Sequence, residues 1–169
     1  MKRFLGLFAL ATVIITFISC DKQKSVGENP FFFFFLQTPY GVPPFDRIEF
    51  EHYRPAFERG MSLHNEEIVA IVESVEKPSF ENTILAFDNS GQMLARVRTV
   101  FEMLASADTN EQMQALSSEM MPTLAAHHDA ILMNEKLFER IKSVYDARNT
   151  LKLDAEQRRL VEKIYRQFE

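Results

Sequence analysis

The sequence has a single cysteine, no tryptophan, and only 5 glycines and 7 prolines among its 169 residues. The lone Cys20 excludes an intramolecular disulfide framework and any zinc site built from several cysteines. Most glycines and prolines lie in the first 60 residues, so the rest of the chain is nearly free of helix breakers. Because 46% of the residues are apolar, this part can bury a helical core. The predicted fold class is all-α.

The sequence also lacks an excess of basic residues and every familiar catalytic motif. Its formal net charge of −5 at pH 7, without a basic block, argues against a nucleic-acid partner. It contains no glycine-rich phosphate loop, nucleophile elbow or His-Glu-x-x-His sequence. The carboxylates Glu66, Glu67 and Glu81 suit solvated helix faces. No residue is predicted to be catalytic, cofactor-binding or metal-binding.

The four histidines have no metal-binding spacing: His52, His64, His127 and His128. A zinc hydrolase needs two histidines on one helix face with a carboxylate beside them. His127 and His128 are adjacent, so their side chains would point about 100° apart on a helix and could not easily chelate one ion. We predict that they are structural or solvated. His52 is predicted to hold the turn that leads into the first helix.

The amino terminus has the pattern of an export signal. Lys2 and Arg3 precede the apolar run 4–18, which is too short for a comfortable membrane span. Ser19 before Cys20 resembles a bacterial lipobox, although Phe17 stands where leucine is usual. Residues 1–19 are therefore predicted to be a lipoprotein-type signal peptide, with Cys20 as the lipid attachment site. The alternative is an ordinary signal peptide with a chance cysteine.

This pattern predicts the location of the protein. We expect an exported lipoprotein, anchored in a membrane and facing the periplasm of a Gram-negative bacterium, or a soluble periplasmic protein if Cys20 is not lipidated. The polar residues 20–29 are predicted to be a flexible linker.

Residues 30–50 are predicted to form an extended arm rich in phenylalanine and proline. Pro43 and Pro44 disfavour helix there. The run Phe31–Phe35 is apolar on both faces and would promote aggregation if exposed. Three alternatives are open: the run packs on the helices that follow, packs on protein outside this chain, or dips into a membrane.

The helical body is predicted to span residues 51–169 and to contain five helices. The first runs from about Glu51 to Val75, with Pro55 in its first turn and Pro78 beyond its end. Its apolar positions recur at helical spacing: Tyr53, Phe57, Met61, His64, Ile68, Ile71 and Val75. The second, from Phe80 to about Ala107, is capped by Ser79. Gly91 lies on its apolar face, which predicts the close approach of another helix.

Three further helices follow. The third comes after Asp108, which forms a capping-box spacing with Glu111, and Pro122 should kink it. The fourth, 135–149, is capped by Asn134, with Leu137, Phe138, Ile141, Val144 and Tyr145 facing inward.

The fifth helix begins at Asp154, with Gln157 in the capping-box position. No stop signal follows before Glu169, and the apolar face continues through Phe168. We therefore expect the helix to continue to the last residue and the native protein to extend beyond it.

Several short motifs occur in order along residues 29–169. They are Asn29-Pro30-Phe31, Thr38-Pro39-Tyr40-Gly41-Val42-Pro43-Pro44-Phe45-Asp46, Glu51-His52-Tyr53, Pro55-Ala56-Phe57 and Phe80-Glu81-Asn82-Thr83-Ile84, and then Ser106–Asn110, Pro122 with His127, Asn134–Phe138 and Leu153–Arg158. Together they resemble the amino-terminal part of the peptidyl-dipeptidases in the thimet oligopeptidase and oligopeptidase A family of zinc metallopeptidases.

The resemblance implies a two-lobed, almost entirely helical shell around a deep channel. Such enzymes release dipeptides from the carboxyl ends of short peptides. A His-Glu-x-x-His helix and a downstream glutamate hold their zinc, and the glutamate within the motif activates the attacking water. None of these residues maps onto this sequence, so zinc is expected only in the parent enzyme. The phenylalanine run is also longer than the family's usual aromatic pair.

We therefore expect the helical amino-terminal portion of a peptidyl-dipeptidase, forming one wall of its channel and inactive alone. Its partners would be short peptides, the missing carboxyl-terminal catalytic region, and a membrane through the lipid anchor. Two rivals stay open: a non-catalytic helical lipoprotein that binds a peptide or protein partner, and a structural protein whose phenylalanines insert in lipid.

Overall fold

In the computed structural model, the described residues are 29–33, 38, 41–107 and 110–169, and within these ranges the secondary structure is helical without strands. The elements are α1 (Pro30–Phe33), a 3₁₀ turn (Phe50–His52) leading into α2 (Tyr53–Val72), a π-helical turn (Phe80–Leu85) leading into α3 (Ala86–Asp88), α4 (Gln92–Ala107), α5 (Glu111–Leu132), α6 (Glu135–Ala147) and α7 (Ala155–Tyr165). The predicted all-α class is confirmed. The predicted signal peptide, Cys20 and most of the linker lie outside these residues.

The arm that was predicted to be extended begins with the helical turn α1. The Asn29 side chain accepts a hydrogen bond from the Phe31 backbone N–H at 3.1 Å, and its carbonyl accepts one from Phe32 at 3.0 Å. The Phe31 ring is buried and lies 5.5 Å from the Tyr53 ring. Packing on the helices is therefore confirmed for Phe31, whereas Phe34 and Phe35 lie outside the described residues.

The start of α2 agrees with the prediction, because Pro55 is its third residue. The preceding 3₁₀ turn is held by His52, whose Nδ1 accepts a hydrogen bond from the Glu49 N–H at 2.9 Å. The predicted turn-holding role of His52 is confirmed.

The predicted end of this helix at Val75 is wrong: α2 ends at Val72, and Val75 is fully exposed. The reason is Arg140 of α6, which donates hydrogen bonds to the carbonyls of Ser74 and Glu76. These bonds hold the chain in a loop before Pro78.

The predicted second helix is divided in two. Ser79 caps its start as predicted, since its Oγ accepts from the Asn82 N–H at 3.1 Å. The helix then breaks between α3 and α4, where Gly91 has a φ of 69°. The Gly91 N–H donates to the Glu67 carboxylate at 2.7 Å instead of continuing the helical hydrogen bonds.

The cap predicted for the third helix is also wrong. Asn110, not Asp108, caps α5, because its side chain accepts from the Met113 N–H at 2.9 Å. Asp108 lies outside the described residues. The helix runs through Pro122 to Leu132, and the kink there stays a prediction.

The caps predicted for the last two helices are confirmed. Asn134 accepts from the Leu137 N–H at 3.0 Å, and Asp154 forms a capping box with Gln157. The expectation that the final helix continues to the last residue is wrong, because α7 ends at Tyr165. Phe168 lies beyond the end of α7, and its ring centroid is 5.5 Å from that of Phe87. An apolar residue that continues the helical spacing can therefore pack on the core without being part of the helix.

The long helix α2 spans two hydrophobic clusters. Its first half, with Phe57, packs in a cluster with residues of α4 and α5, including Phe101 and Leu116. Its second half, with Ile68, packs in another cluster with the π-helical turn, α6 and α7. His64 lies on α2 between these two clusters. Among the helices that the structure describes, none is both long and apolar enough to cross a membrane.

Candidate functional site

A pocket of about 520 Å³ opens where α2, α4 and α5 meet the turn at residues 89–91. Its walls combine apolar side chains with five polar ones: Leu94, Ala95, Met121, Leu124 and Ala125, and His64, Ser90, Arg98, His127 and His128. A largely apolar concave surface with a few convergent polar groups is typical of a ligand-binding site. It is the candidate functional site of this chain.

Two glycines determine how closely the walls approach. A Cβ at Gly60 of α2 would lie 3.0 Å from the Leu94 Cα, so its absence lets the backbones of α2 and α4 approach closely. A Cβ at Gly91 would lie 2.9 Å from the His64 ring. The close approach predicted at Gly91 is therefore that of a side chain, whereas the close approach of two helices occurs at Gly60.

A chain of hydrogen bonds orders the polar end of the pocket. Ser90 Oγ donates its only proton to the Phe87 carbonyl at 2.7 Å. It must therefore accept from His64 Nε2, which lies 3.2 Å away. With its proton on Nε2, a neutral His64 accepts at Nδ1, and the donor is His127 Nε2 at 3.1 Å. The contacts thus assign the tautomers of both rings.

Burial favours the neutral form of both histidines. It lowers the pKa of His64, an effect that the nearby His127 reinforces and the Glu67 carboxylate opposes. Burial also lowers the pKa of His127, with a smaller contribution from His128. Both imidazoles therefore favour the neutral form at pH 7, and the hydrogen bond between them requires a neutral ring at the acceptor, His64.

The other residues weighed from the sequence are less involved. Glu66 accepts hydrogen bonds from Arg59 and Ser62 on the exposed surface, and Glu81 is exposed, so the prediction of solvated faces is confirmed for both. Glu67 is exposed too, as predicted, and its carboxylate also accepts a hydrogen bond from the Gly91 N–H. His128 lines the pocket beside its neighbour.

Within the described ranges, no group of three or more histidine, cysteine, aspartate or glutamate side chains could hold a metal ion. The prediction that this chain contributes no ligand to the metal of a parent enzyme stays a prediction. The rings of His64 and His127 meet edge to face in the pocket, with their centroids 5.1 Å apart.

Sequence reasoning did not predict the contact between His64 and His127, which are 63 residues apart. One signal was available, because His64 is the polar residue in the apolar stripe of α2. A polar side chain at a core-facing position requires a partner, and the most probable partner type is another polar residue on a facing helix. Which helix faced it could not be read from the spacing.

Comparison with known proteins identifies the relatives of the chain. No protein-family model matches it. It is 43% identical over 130 residues to the dipeptidyl carboxypeptidase of Escherichia coli K12, an alignment that covers 77% of this chain and 19% of that protein. The chain is related to the dipeptidyl carboxypeptidases. The family resemblance predicted from the motifs is confirmed.

More distant relatives belong to the same group of peptidases. The oligopeptidase A of Escherichia coli is 22% identical over 134 residues, covering 79% of this chain and 20% of that protein. The thimet-like oligopeptidase of Dictyostelium discoideum is 28% identical over 123 residues, covering 70% of this chain and 18% of that protein. The chain spans about a fifth of the length of these relatives and of the dipeptidyl carboxypeptidases.

Proposed function

We propose that this chain is the amino-terminal helical part of a zinc-dependent peptidyl-dipeptidase that releases dipeptides from the carboxyl ends of short peptides. The observation that carries the proposal is the 43% identity to dipeptidyl carboxypeptidase over 77% of the chain. The motif residues also have structural roles here: Asn29 caps α1 and bonds the His52 carbonyl, and Asn82 completes the cap at Ser79.

In this proposal the chain forms one wall of the peptide channel and does not itself hydrolyse peptides. The helix α2 ties two hydrophobic clusters together, which suits a rigid wall that admits short peptides and excludes folded proteins. The pocket at His64 and His127 would open toward the channel. The zinc and the glutamate that activates water would belong to a His-Glu-x-x-His helix in the rest of the protein, since that sequence does not occur in these 169 residues.

A chimera tests this role. The 130 matched residues of the Escherichia coli dipeptidyl carboxypeptidase would be replaced by those of this chain. We expect the chimera to release dipeptides from the carboxyl end of a short peptide and to lose this activity to a chelator. The matched control is the same chimera with Phe101→Ala, which removes a buried ring. A chimera that unfolds cooperatively, and is therefore folded, but releases no dipeptide would contradict the proposal.

We further propose that the protein is exported and tethered through a lipid on Cys20, as the Ser19-Cys20 pattern at the end of an apolar run indicates. Expressed with its own leader, the protein should be found in the membrane fraction and incorporate labelled palmitate, and Cys20→Ser should abolish both. If the Cys20→Ser variant stays membrane-bound, Phe33→Ser and Phe34→Ser are added to it. Loss of membrane binding would then indicate insertion of the phenylalanine run, and unchanged binding would indicate another attachment. Palmitate incorporation that persists in Cys20→Ser would exclude this attachment site.

The second candidate function is a non-catalytic lipoprotein that binds a peptide or protein partner. The observation that favours it is the pocket, which residues of α2, α4 and α5 line. If the 169-residue chain alone binds short peptides with an affinity that substitutions in the pocket weaken, binding does not require the rest of an enzyme. If it binds none, this candidate loses its support.

A further inference from the structure

The pocket beside His64 is adjacent to a second cavity of about 510 Å³ between α4 and α5. Met121 lines both cavities, so they meet at its side chain. The second cavity lies where the end of α4 approaches the start of α5, and its lining includes Ala105 and Gln114. The two cavities together are called the α4–α5 groove below.

The α4–α5 groove has the length of a short peptide. On α5 its lining includes Gln114, Ser117, Met121, Leu124 and His128, which follow one another at three or four residues and therefore share one helix face. At 1.5 Å per residue, this face is about 21 Å long. An extended chain advances about 3.3 Å per residue, so about six residues would fill the groove.

The charge of the groove differs from that of the whole chain. The sequence has 24 aspartates and glutamates against 19 lysines and arginines. The described residues that line the two cavities nevertheless include Arg98 and no aspartate or glutamate. Complementary charge orients a ligand and selects it against others, so the groove favours a ligand that brings a negative charge to Arg98.

Arg98 has hydrogen-bond donors available for that charge. Its Nε donates to the Glu102 carboxylate at 2.7 Å, and within the described part of the chain no hydrogen bond is found for its two terminal nitrogens. A guanidinium can bind a second carboxylate through those nitrogens. Among the α4 residues of the first pocket, Arg98 is the one nearest in sequence to Ala105 of the second cavity. A peptide that fills both cavities therefore passes Arg98, and the carboxylate bound there belongs to a side chain and not to the end of the peptide.

An apolar part of the first pocket lies one helical turn from Arg98. Leu94, Met121 and Leu124 line it. Side chains one turn apart on a helix have Cβ atoms about 5–6 Å apart. In an extended peptide, side chains two positions apart lie on the same face and are about 6.6 Å apart. The groove is therefore matched by an apolar residue and an acidic residue two positions apart.

We propose that the α4–α5 groove binds an extended peptide segment of about six residues, with an apolar side chain at Leu94 and an aspartate or glutamate side chain at Arg98. The segment continues past Met121 toward Gln114, where side-chain hydroxyl and amide groups line the groove beside its backbone. Peptide binding is a property of these helices alone. That the bound segment belongs to a substrate, and that the groove selects substrates with such a pair of residues, rests on the proposed function.

The test measures fluorescence anisotropy of a labelled six-residue peptide added to the 169-residue chain. The peptide has blocked ends and carries phenylalanine and glutamate two positions apart. Glutamine in place of the glutamate should weaken binding about fivefold, the upper end for a partly exposed ion pair. Arg98→Gln should weaken binding of the glutamate peptide equally and abolish its advantage over the glutamine peptide. Arg96→Gln, an exposed arginine of the same helix outside the lining, is the matched control and should change neither.

Two further variants test the apolar part and the competing carboxylate. Ala125→Leu adds a side chain to the lining without removing a core residue, and should weaken binding about tenfold because it occupies the space of the phenylalanine. Ala126→Leu, its exposed neighbour outside the lining, should have no effect. Glu102→Gln removes the carboxylate that shares Arg98 and should strengthen binding of the glutamate peptide.

The proposal is overturned if the folded chain does not bind the blocked peptide at millimolar concentration, or binds a peptide only when its carboxyl end is free. It is also overturned if Arg98→Gln and Ala125→Leu, each folded by circular dichroism, bind as the unsubstituted chain does.

The chimera with the Escherichia coli enzyme separates this proposal from the proposed function. A chimera that releases dipeptides with the same KM for substrates that carry glutamate or glutamine at the matched position would overturn the groove proposal alone. A folded chimera that binds the glutamate peptide in preference to the glutamine peptide but releases no dipeptide would overturn the proposed function alone.

Discussion

Gly91 lies against the imidazole of His64 so closely that a methyl group on its Cα would be 2.9 Å from two ring atoms. Its φ of 69° places it in the left-handed region, where a side chain adds strain. The turn that separates α3 from α4 and the orientation of His64 therefore depend on the same residue. The break in the predicted second helix and the formation of the pocket have one cause.

Gly91→Ala should lower the free energy of unfolding by about 2–3 kcal/mol, of which about 1–2 kcal/mol is the left-handed conformation and the rest the contact with His64. Gly41→Ala is the matched control, because Gly41 has a φ of 67° but no atom within 4 Å of the added Cβ. It should show only the conformational part when both are measured by urea denaturation. Equal losses in the two variants would contradict a contact between Gly91 and His64.

Phe101→Ala should destabilise the amino-terminal cluster. The ring is 1% exposed and makes edge-to-face contacts with Tyr53 at 5.2 Å and Phe57 at 5.5 Å. Removing a buried phenylalanine side chain costs about 3–5 kcal/mol of unfolding free energy. Met103→Ala on the same helix is the control, since Met103 is 55% exposed and its loss should change stability by less than about 0.5 kcal/mol.

Arg140→Lys tests why α2 ends at Val72. A lysine keeps the charge but cannot bond the carbonyls of Ser74 and Glu76 at once from one planar group. We expect a loss of about 1–2 kcal/mol in unfolding free energy, together with faster amide exchange in residues 73–79. Arg98→Lys, at an exposed pair with Glu102, should change stability by less than about 0.5 kcal/mol. Unchanged exchange in 73–79 would mean that Pro78 alone ends the helix.

Acidification should weaken the fold through the histidine pair. Both pKa values are lowered in the folded protein, so the unfolded chain binds more protons as the pH falls through its ordinary histidine pKa of about 6.5. The pair contributes its full stabilisation above the ordinary histidine pKa. As the pH falls from there toward the lowered pKa values of the folded protein, this stabilisation is progressively lost. The measurement is the free energy of unfolding between neutral pH and about pH 5.5.

The double variant His64→Gln with His127→Gln provides the comparison for this pH dependence. It lacks both buried imidazoles, so its stability should change less over the same pH range. If its pH dependence equals that of the unsubstituted chain, other groups cause the effect and the histidines are not neutralised by burial.

Much of the fold could be predicted because local rules decide it. The caps at Ser79, Asn134 and Asp154 depend on residues three positions apart, and the position of Pro55 in α2 depends on its own ring. The errors share another cause. The end of α2 depends on Arg140, 64 or more residues away, and the break at Gly91 depends on Glu67, 24 residues away.

The site could not be predicted for the same reason. Spacing within one helix indicated only that His64 faces the core, because its partner lies on another helix. Similarly, the sequence located Gly91 on an apolar face and predicted a close approach, but the approaching group is a side chain of α2. A contact between distant residues requires the tertiary arrangement, which no periodicity contains.

The central claim is that these helices are the amino-terminal part of a zinc peptidyl-dipeptidase. The most direct measurement is the mass of the native gene product in the membrane fraction, with its release of dipeptides from a short peptide assayed before and after chelation. We predict a product several times heavier than 169 residues, whose activity is lost to chelator and restored by zinc. A native product of this length that releases no dipeptide would contradict the claim.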